Sequence, residues 1–266
     1  MSLISRLFGR KPPQGKDSDM TGIGSGQGGP AGAVLIVGGT AGLGLELAKV
    51  YAARGRSVVL TGRDATTAAK VAAEVGGDTR GLALDLSKPH DIAGNLAGLG
   101  PVHRVVLAAI ERDANAVKTY NIEGAIRLST IKLVGYTAVV HAVADRLTGN
   151  GAILLFGGQA RVRPYPGSTT VSSINGGVIG MVRTLSVEMA PIRVNSIHPG
   201  IVGDSPYWTV KPGDVDSVVA RTVSLNTANT LTGRLVTMAE VVDAAVFLLE
   251  NGGVNGVDLV VDGGWK

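Results

Sequence analysis

The stretch Val34-Leu35-Ile36-Val37-Gly38-Gly39-Thr40-Ala41-Gly42-Leu43-Gly44, followed by Leu45, Leu47, Ala48 and Tyr51, decides the fold. Four aliphatic residues read as a buried strand, glycines 38, 42 and 44 let the backbone turn sharply, and the apolar residues that follow suit a helix. A strand that enters a helix through such a turn gathers free N–H groups and the positive end of the helix dipole at one point. That point suits an anion such as a pyrophosphate. Glycine-rich turns also arise from tight packing alone, so the reading needs support from the rest of the chain.

Outward from that turn, short aliphatic runs alternate with longer helical ones. Strands are expected at 34–37, 57–60, 81–84, 104–108, 152–156, 193–197 and 257–261, and helices at 43–53, 65–74, 131–147, 177–189 and 238–249. This rhythm needs crossover connections, hence a parallel sheet covered on both faces. The fold class expected is α/β, a single Rossmann-type doubly wound sheet with helices on both faces, over residues 33–266. A chain of 266 residues suits one large domain, and its interior shows no linker. Residues 1–32, with Pro12, Pro13 and a Gly/Ser/Gln run, read as a flexible extension. Leu3, Ile4, Leu7 and Phe8 beside Arg6, Arg10 and Lys11 sketch a short amphipathic turn, but a tail without membrane contact is the favoured reading.

Composition narrows the function. The chain has no cysteine, which excludes disulfides, thiolate metal sites and cysteine nucleophiles, and fits a cytoplasmic setting. Its net charge of +4 is dispersed in ones and twos, so no nucleic-acid footprint is expected. No metal site is expected.

The second strand sharpens the anion reading. Val58-Val59-Leu60 leads into Thr61, Gly62, Arg63 and Asp64, and a dinucleotide fold that selects NAD usually carries a carboxylate at that strand end. Gly62 holds the acid's place and Arg63 follows, which points to NADP(H) with Arg63 on the 2′-phosphate. The plain alternative makes Arg63 a solvated loop cation and Asp64 a helix cap.

The spacing of Gly38, Gly42 and Gly44 resembles the TGxxxGxG turn of the short-chain dehydrogenase/reductase family, with Val37 in place of Thr. Asp85-Leu86 resembles the acidic position that contacts adenine in that family, NSIHPG at 195–200 its NxVxPG turn, and VDGG at 261–264 its carboxyl-terminal strand and turn. The resemblance runs from about Ala33 to the end. It implies a cofactor site of Gly38, Thr40, Ala41, Gly42, Leu43, Gly44, Arg63, Asp85, Leu86, Ala108, Asn175, Pro199, Gly200 and Val202, a small-molecule substrate, and a homodimer or homotetramer built through the long helices.

The family's catalytic residues are a Tyr, a Lys four residues later, a Ser on the preceding strand end and an Asn on an earlier helix. By placement these fall on Val171, Asn175, Gly158 and Lys132, and the family's NNAG has become LAAI at 107–110. Val171 has no proton to give and Gly158 no hydroxyl. Lys and Asn thus exchange places between neighbouring helices, so Lys132 is expected to supply a cation, or an acid of lowered pKa, while Asn175 binds the ribose. The plain alternative is a Lys132 that reaches solvent or pairs with a carboxylate such as Asp204. Other donor candidates are Tyr165, Tyr207, Tyr136, Ser172 and Ser173. The only YxxxK, Tyr207 to Lys211, lies after NSIHPG and out of register with the family's helix. Tyr207 and Trp208, where the family carries a substrate lid, suit a flat or apolar substrate or plain packing. His141, inside an apolar run, reads as structural. The expected function is an NADPH-dependent oxidoreductase acting on a C=N, C=C or C=O bond without the usual Tyr. The alternative is an inactive NADP(H)-binding sensor, scaffold or partner subunit.

Overall fold

The computed structural model describes residues 32–111, 113–209 and 217–266. The extension expected over residues 1–32 lies outside the described residues except for Gly32, as does Lys211 of the YxxxK match.

Seven strands form one parallel sheet: β1 Ala33–Val37, β2 Val58–Gly62, β3 Thr79–Ala83, β4 Val102–Leu107, β5 Leu147–Phe156, β6 Arg193–Pro199 and β7 Asp258–Val261. Their order across the sheet is β3-β2-β1-β4-β5-β6-β7. Around them lie α1 Gly42–Ala53, α2 Ala65–Val75, α3 Ile92–Asn95, α4 Ile122–Ser129, α5 Tyr136–Val143, α6 Thr169–Glu188, α7 Val218–Ala228 and α8 Met238–Glu250. A π-helical turn, Thr130–Gly135, joins α4 to α5.

Alternation along the strands divides the core. Leu35, Val37, Val105, Leu107, Ile153, Leu155 and Val194 pack with Tyr136, Val139, Val178 and Val182 from α5 and α6. Val34, Ile36, Val58, Leu60, Val106, Leu154 and Ile197 pack with Leu47 and Ala48 of α1 and with Val241, Ala245 and Leu248 of α8. A sheet buried on both faces needs this near-continuous aliphatic sequence, and it is what makes the strands legible. One polar tie crosses the second layer: buried Arg104 of β4 pairs with Glu250 of α8 at 2.7 Å, and Tyr51 Oη of α1 donates to the same carboxylate at 2.7 Å.

All seven expected strands are present, with ends that move by a few residues. The sequence expectation missed α3, α4 and α7. α6 begins at Thr169 rather than 177. The helix expected over 131–147 is divided into the π turn, α5 and a 3-10 turn at Ala144–Arg146, and Leu147 already belongs to β5. The glycine turn follows β1 and residues 108–109 follow β4. These adjacent strands continue in opposite directions across the sheet, so the crevice beyond their carboxyl ends is the topological switch point where such sheets bind ligands.

Candidate functional site

The turn after β1 can exist only with glycine. Gly38 has φ +85°, and a Cβ there would stand 2.6 Å from the Ala109 backbone; at Gly44 it would stand 2.2 Å from Gly38 O. The first gap lets the turn touch the end of β4, and the second presses the start of α1 onto the turn. Side chains cap α2 (Asp64), α4 (Asn121), α7 (Ser217) and α8 (Thr237), whereas Ala41 gives α1 no side-chain cap and its first turn has no acid. The free N–H groups of that turn, beside a cradle that any Cβ would fill, fit a phosphate group.

At the end of β2, a Gly62 Cβ would meet Thr40 Cγ2 at 2.6 Å, so the bulk of Thr40 keeps a carboxylate from that position. Arg63 is exposed and reaches Glu111 at 3.4 Å, and Glu111 also holds Arg127 at 2.6 Å. Asp64 accepts from Thr67 N at 2.7 Å, so the cap reading is right for Asp64. Asp85 accepts from Ser87 N and Oγ; burial would raise its carboxyl, but these hydrogen bonds outweigh burial and hold it below the usual range. Leu86 is buried, and its Cβ and O lie 2.9 Å from where a Gly135 Cβ would be, which is why the π turn needs glycine there.

Lys132 lies on that π turn and is only 2 % exposed. Its Nζ donates to Phe156 O at 2.6 Å and to Tyr136 Oη at 2.8 Å, and Tyr136 Oη donates in turn to Ala109 O at 2.8 Å. The amine thereby ties the ends of β4 and β5 together beside the glycine turn. Both expectations of the plain reading are corrected: Lys132 does not reach solvent, and Asp204 instead accepts from Met238 N at 2.7 Å. Lys132 has neutral oxygens around it and no carboxylate partner among the described residues, and burial pulls its ammonium down to about 7. Burial drives the Tyr136 phenol far the other way, so Tyr136 stays protonated. π-helical turns often mark functional sites, and this one aims a lysine inward from a position a regular helix would rotate.

Asn175, on α6, is 4 % exposed. Its Nδ2 stands 2.9 Å from where a Gly158 Cβ would be, so the amide occupies the place of the missing side chain. No described residue hydrogen-bonds this amide. Beneath it, Gly158 N–H donates to His198 Nδ1 at 3.2 Å, which puts the imidazole proton on Nε2, 3.0 Å from Ser196 Oγ. Ser196 donates to Asp258 Oδ1 at 2.5 Å. A Gly157 Cβ would lie 2.3 Å from that ring, so Gly157 and His198 are a matched pair of small and large. Burial first, then the charge of Arg161, lowers the imidazole to about 4 and keeps it neutral.

The remaining candidates scatter. Tyr165 and Tyr207 are exposed, and Tyr207 stacks edge-on against Trp208 at 4.7 Å; neither hydrogen-bonds Lys132. Ser172 and Ser173 donate back to Ser168 and Thr169 one turn earlier. His141, read as structural, lies on α5 and faces solvent. Ala108 N–H donates to Val37 O at 2.9 Å, Gly200 N–H to Val261 O at 2.9 Å, and Val202 bridges to Val236. With Pro199 they edge the same crevice at the strand ends. Sequence reasoning missed His198, Phe156 O and the Ala109 link; the spacing of Lys132 and Tyr136, one helical turn apart, was the available clue. Among the described residues no cluster fits a metal ion, and no helix is long and apolar enough to cross a membrane.

Comparison with known proteins gives concordant matches. The family described as Enoyl-(Acyl carrier protein) reductase matches residues 38–266. The chain is 31 % identical over 238 residues to the 3-oxoacyl-[acyl-carrier-protein] reductase of Bos taurus, covering 86 % of this chain and 95 % of that one. It is also 31 % identical over 238 residues to carbonyl reductase family member 4 of Danio rerio, covering 86 % and 96 %. Among solved structures, one described as a short chain dehydrogenase/reductase family protein superposes with a TM-score of 0.76 at 27 % identity, covering 88 % of this chain and 97 % of that one.

Proposed function

The chain belongs to the short-chain dehydrogenase/reductase family, and from that premise we propose that it is an NADPH-dependent oxidoreductase that reduces a C=N, C=C or C=O bond without the tyrosine acid usual in the family. Members of this family use nicotinamide cofactors, which supply a hydride when bound. The cofactor's anionic part suits the uncapped start of α1, with Gly38, Thr40, Ala41, Gly42, Leu43 and Gly44 around it. Arg63 suits the 2′-phosphate, for which it exchanges Glu111, and Asp85 with Leu86 suits the adenine.

The observation that carries the proposal is the Lys132 amine, enclosed between Phe156 O and Tyr136 Oη beneath the strand ends that border the crevice, with a pKa of about 7. A group that titrates there can hold a proton at Nζ and release it at physiological pH, as an acid must. Tyr136 fixes the amine from one side, and its own proton is committed to Ala109 O. The Asn175 amide, hydrogen-bonded by no described residue, offers N–H donors where the family's serine hydroxyl would orient a substrate oxygen.

NADPH oxidation, followed at 340 nm against ketones, enones and cyclic imines across the pH range, tests this reading. The rate is expected to fall as pH rises through about 7, and Lys132→Met to lose roughly 10²-fold or more with NADPH binding retained. An equal rate in that variant contradicts the role of Lys132. The absence of a proton-bearing group at Gly158 and Val171 favours a second reading, an NADP(H)-binding sensor or partner subunit. NADPH binding with no oxidation on any substrate supports that one. In either reading the exposed apolar face of Tyr120, Ile122, Ile126 and Val134 suits association of copies of this chain.

A further inference from the structure

The strand order β3-β2-β1-β4 places the ends of β2 and β4 on either side of the glycine turn that follows β1. The turn touches both. Gly39 N–H donates to Thr61 O at 3.0 Å on the β2 side, and a Gly38 Cβ would stand 2.6 Å from the Ala109 backbone on the β4 side. Arg63 and Glu111 each follow two residues beyond those contacts, and they pair with one another at 3.4 Å. Two strand spacings, about 10 Å, separate β2 from β4. The ion pair therefore joins the two flanks of the turn on which a dinucleotide would rest.

Glu111 does not stop at Arg63. Its second oxygen accepts from Arg127 Nε of α4 at 2.6 Å. Arg127 in turn stands near enough to Asp85, just beyond the end of β3, for their charges to attract. Arg127 thus lies between the position that suits adenine and the one that suits the 2′-phosphate. The side chains of Arg63, Glu111 and Arg127 are 70 %, 34 % and 42 % exposed, so a ligand reaches all three from solvent. Exposed ion pairs add little to stability and are readily exchanged for other partners. A carboxylate that gives one oxygen to each of two guanidinium groups also occupies the place a phosphate would take between them, since a phosphate offers the same paired oxygens with more charge.

We propose that Arg127 is a second cation for the cofactor's 2′-phosphate and that Glu111 is the internal anion the phosphate displaces, so that this carboxylate sets how strongly the phosphorylated cofactor is preferred. The assignment rests on the NADP(H) reading above and adds two residues to it. The phosphate carries up to two negative charges against one on the carboxylate, and it takes over both arginines. Glu111 then turns to solvent. Its charge remains beside the phosphate and opposes binding, whereas a cofactor with a free 2′-hydroxyl meets neither the gain nor the repulsion.

The test is calorimetric titration of the full chain with NADPH and with NADH at low ionic strength, on wild type, Glu111→Gln, Arg127→Gln and Arg127→Lys. Glu111→Gln is expected to tighten NADPH about threefold to tenfold, and Arg127→Gln to weaken it by a similar factor, while NADH changes by less than about twofold in either. Arg127→Lys should recover part of the loss, because it restores the charge without the fork. An NADPH-to-NADH preference that is unaltered in Glu111→Gln or in Arg127→Gln, when wild type binds NADPH, overturns the assignment and leaves the NADP(H) reading standing. If wild type binds no NADPH and Glu111→Gln does, the displacement stands and the reading of the native chain as NADPH-dependent falls. If neither binds NADPH, both fall.

Discussion

Replacing Lys132 by methionine preserves most of the buried stem while it removes the amine, and the consequence is a specific change in how stability depends on pH. The folded-state pKa of about 7 lies far below the unfolded value of 10.5. Between those values the unfolded chain holds a proton that the folded chain has released, so stability rises with pH across that window. Below pH 7 both states are protonated and the full cost of burying the ammonium is present, about 4 to 5 kcal/mol at 1.36 kcal/mol per unit. Between pH 6 and pH 9 the relief attributable to Lys132 is about 2 to 3 kcal/mol. Lys132→Met also leaves Phe156 O and Tyr136 Oη without a donor, at a cost of about 1 to 3 kcal/mol that is the same at both pH values. Urea unfolding of both proteins at pH 6 and pH 9 therefore isolates the amine as a double difference. Wild type should gain about 2 to 3 kcal/mol more than the variant on going to pH 9. An equal gain in the two proteins would refute a neutral, enclosed amine at that position, and with it the acid assigned to Lys132.

Three other substitutions probe separate parts of the account. Gly44→Ala places a methyl group 2.2 Å from Gly38 O, and it should cost about 1 to 3 kcal/mol in denaturant unfolding and weaken NADPH binding about tenfold or more by opening the turn. Arg63→Ala should weaken NADPH binding by about 1.5 to 3 kcal/mol, the worth of a charged hydrogen bond, and leave NADH unchanged; an equal loss for both cofactors would remove the 2′-phosphate role. Glu250→Ala strands buried Arg104, which pairs with it at 2.7 Å, and should lower unfolding stability by about 3 kcal/mol; because burial opposes but hydrogen bonds from Arg104 and Tyr51 outweigh it, the Glu250 carboxyl sits low, and this stability is present above its unfolded pKa and lost as pH falls through the lower folded one.

The architecture was legible because a two-face-buried parallel sheet leaves little freedom in composition: runs such as Val34–Val37 and Ile153–Leu155 have no exposed position to fill with a polar residue. The helices were harder where burial is slight. α7 has no buried residue, and α4, Ile122–Ser129, is only eight residues long, too short for its apolar spacing to repeat. α6 hid its first turns because TTVSS reads as a β-branched polar run, yet Thr170 is buried and bound to Asn115 Nδ2 at 3.1 Å. At the site, Lys132 and Asn175 were visible in the sequence as polar side chains set among apolar runs, and both are buried. Their partners were not. Phe156 O and Ala109 O are backbone atoms, invisible as residue types, and the Gly157–His198 fit joins residues on two strands whose spacing only the sheet register reveals.

The two glycines that end β5 give the crevice its character. Gly157 yields its volume to His198 and Gly158 to Asn175, so side chains from neighbouring elements fill the space at the end of β5. Lys132 is the group beside it whose ammonium burial pulls down to about 7.

The most direct check is calorimetric titration of the purified full chain with NADPH, NADP⁺ and NADH. The account predicts saturable one-site binding of the two 2′-phosphorylated forms, at least about tenfold tighter than NADH. Heat from none of the three, or a preference for NADH, would contradict it.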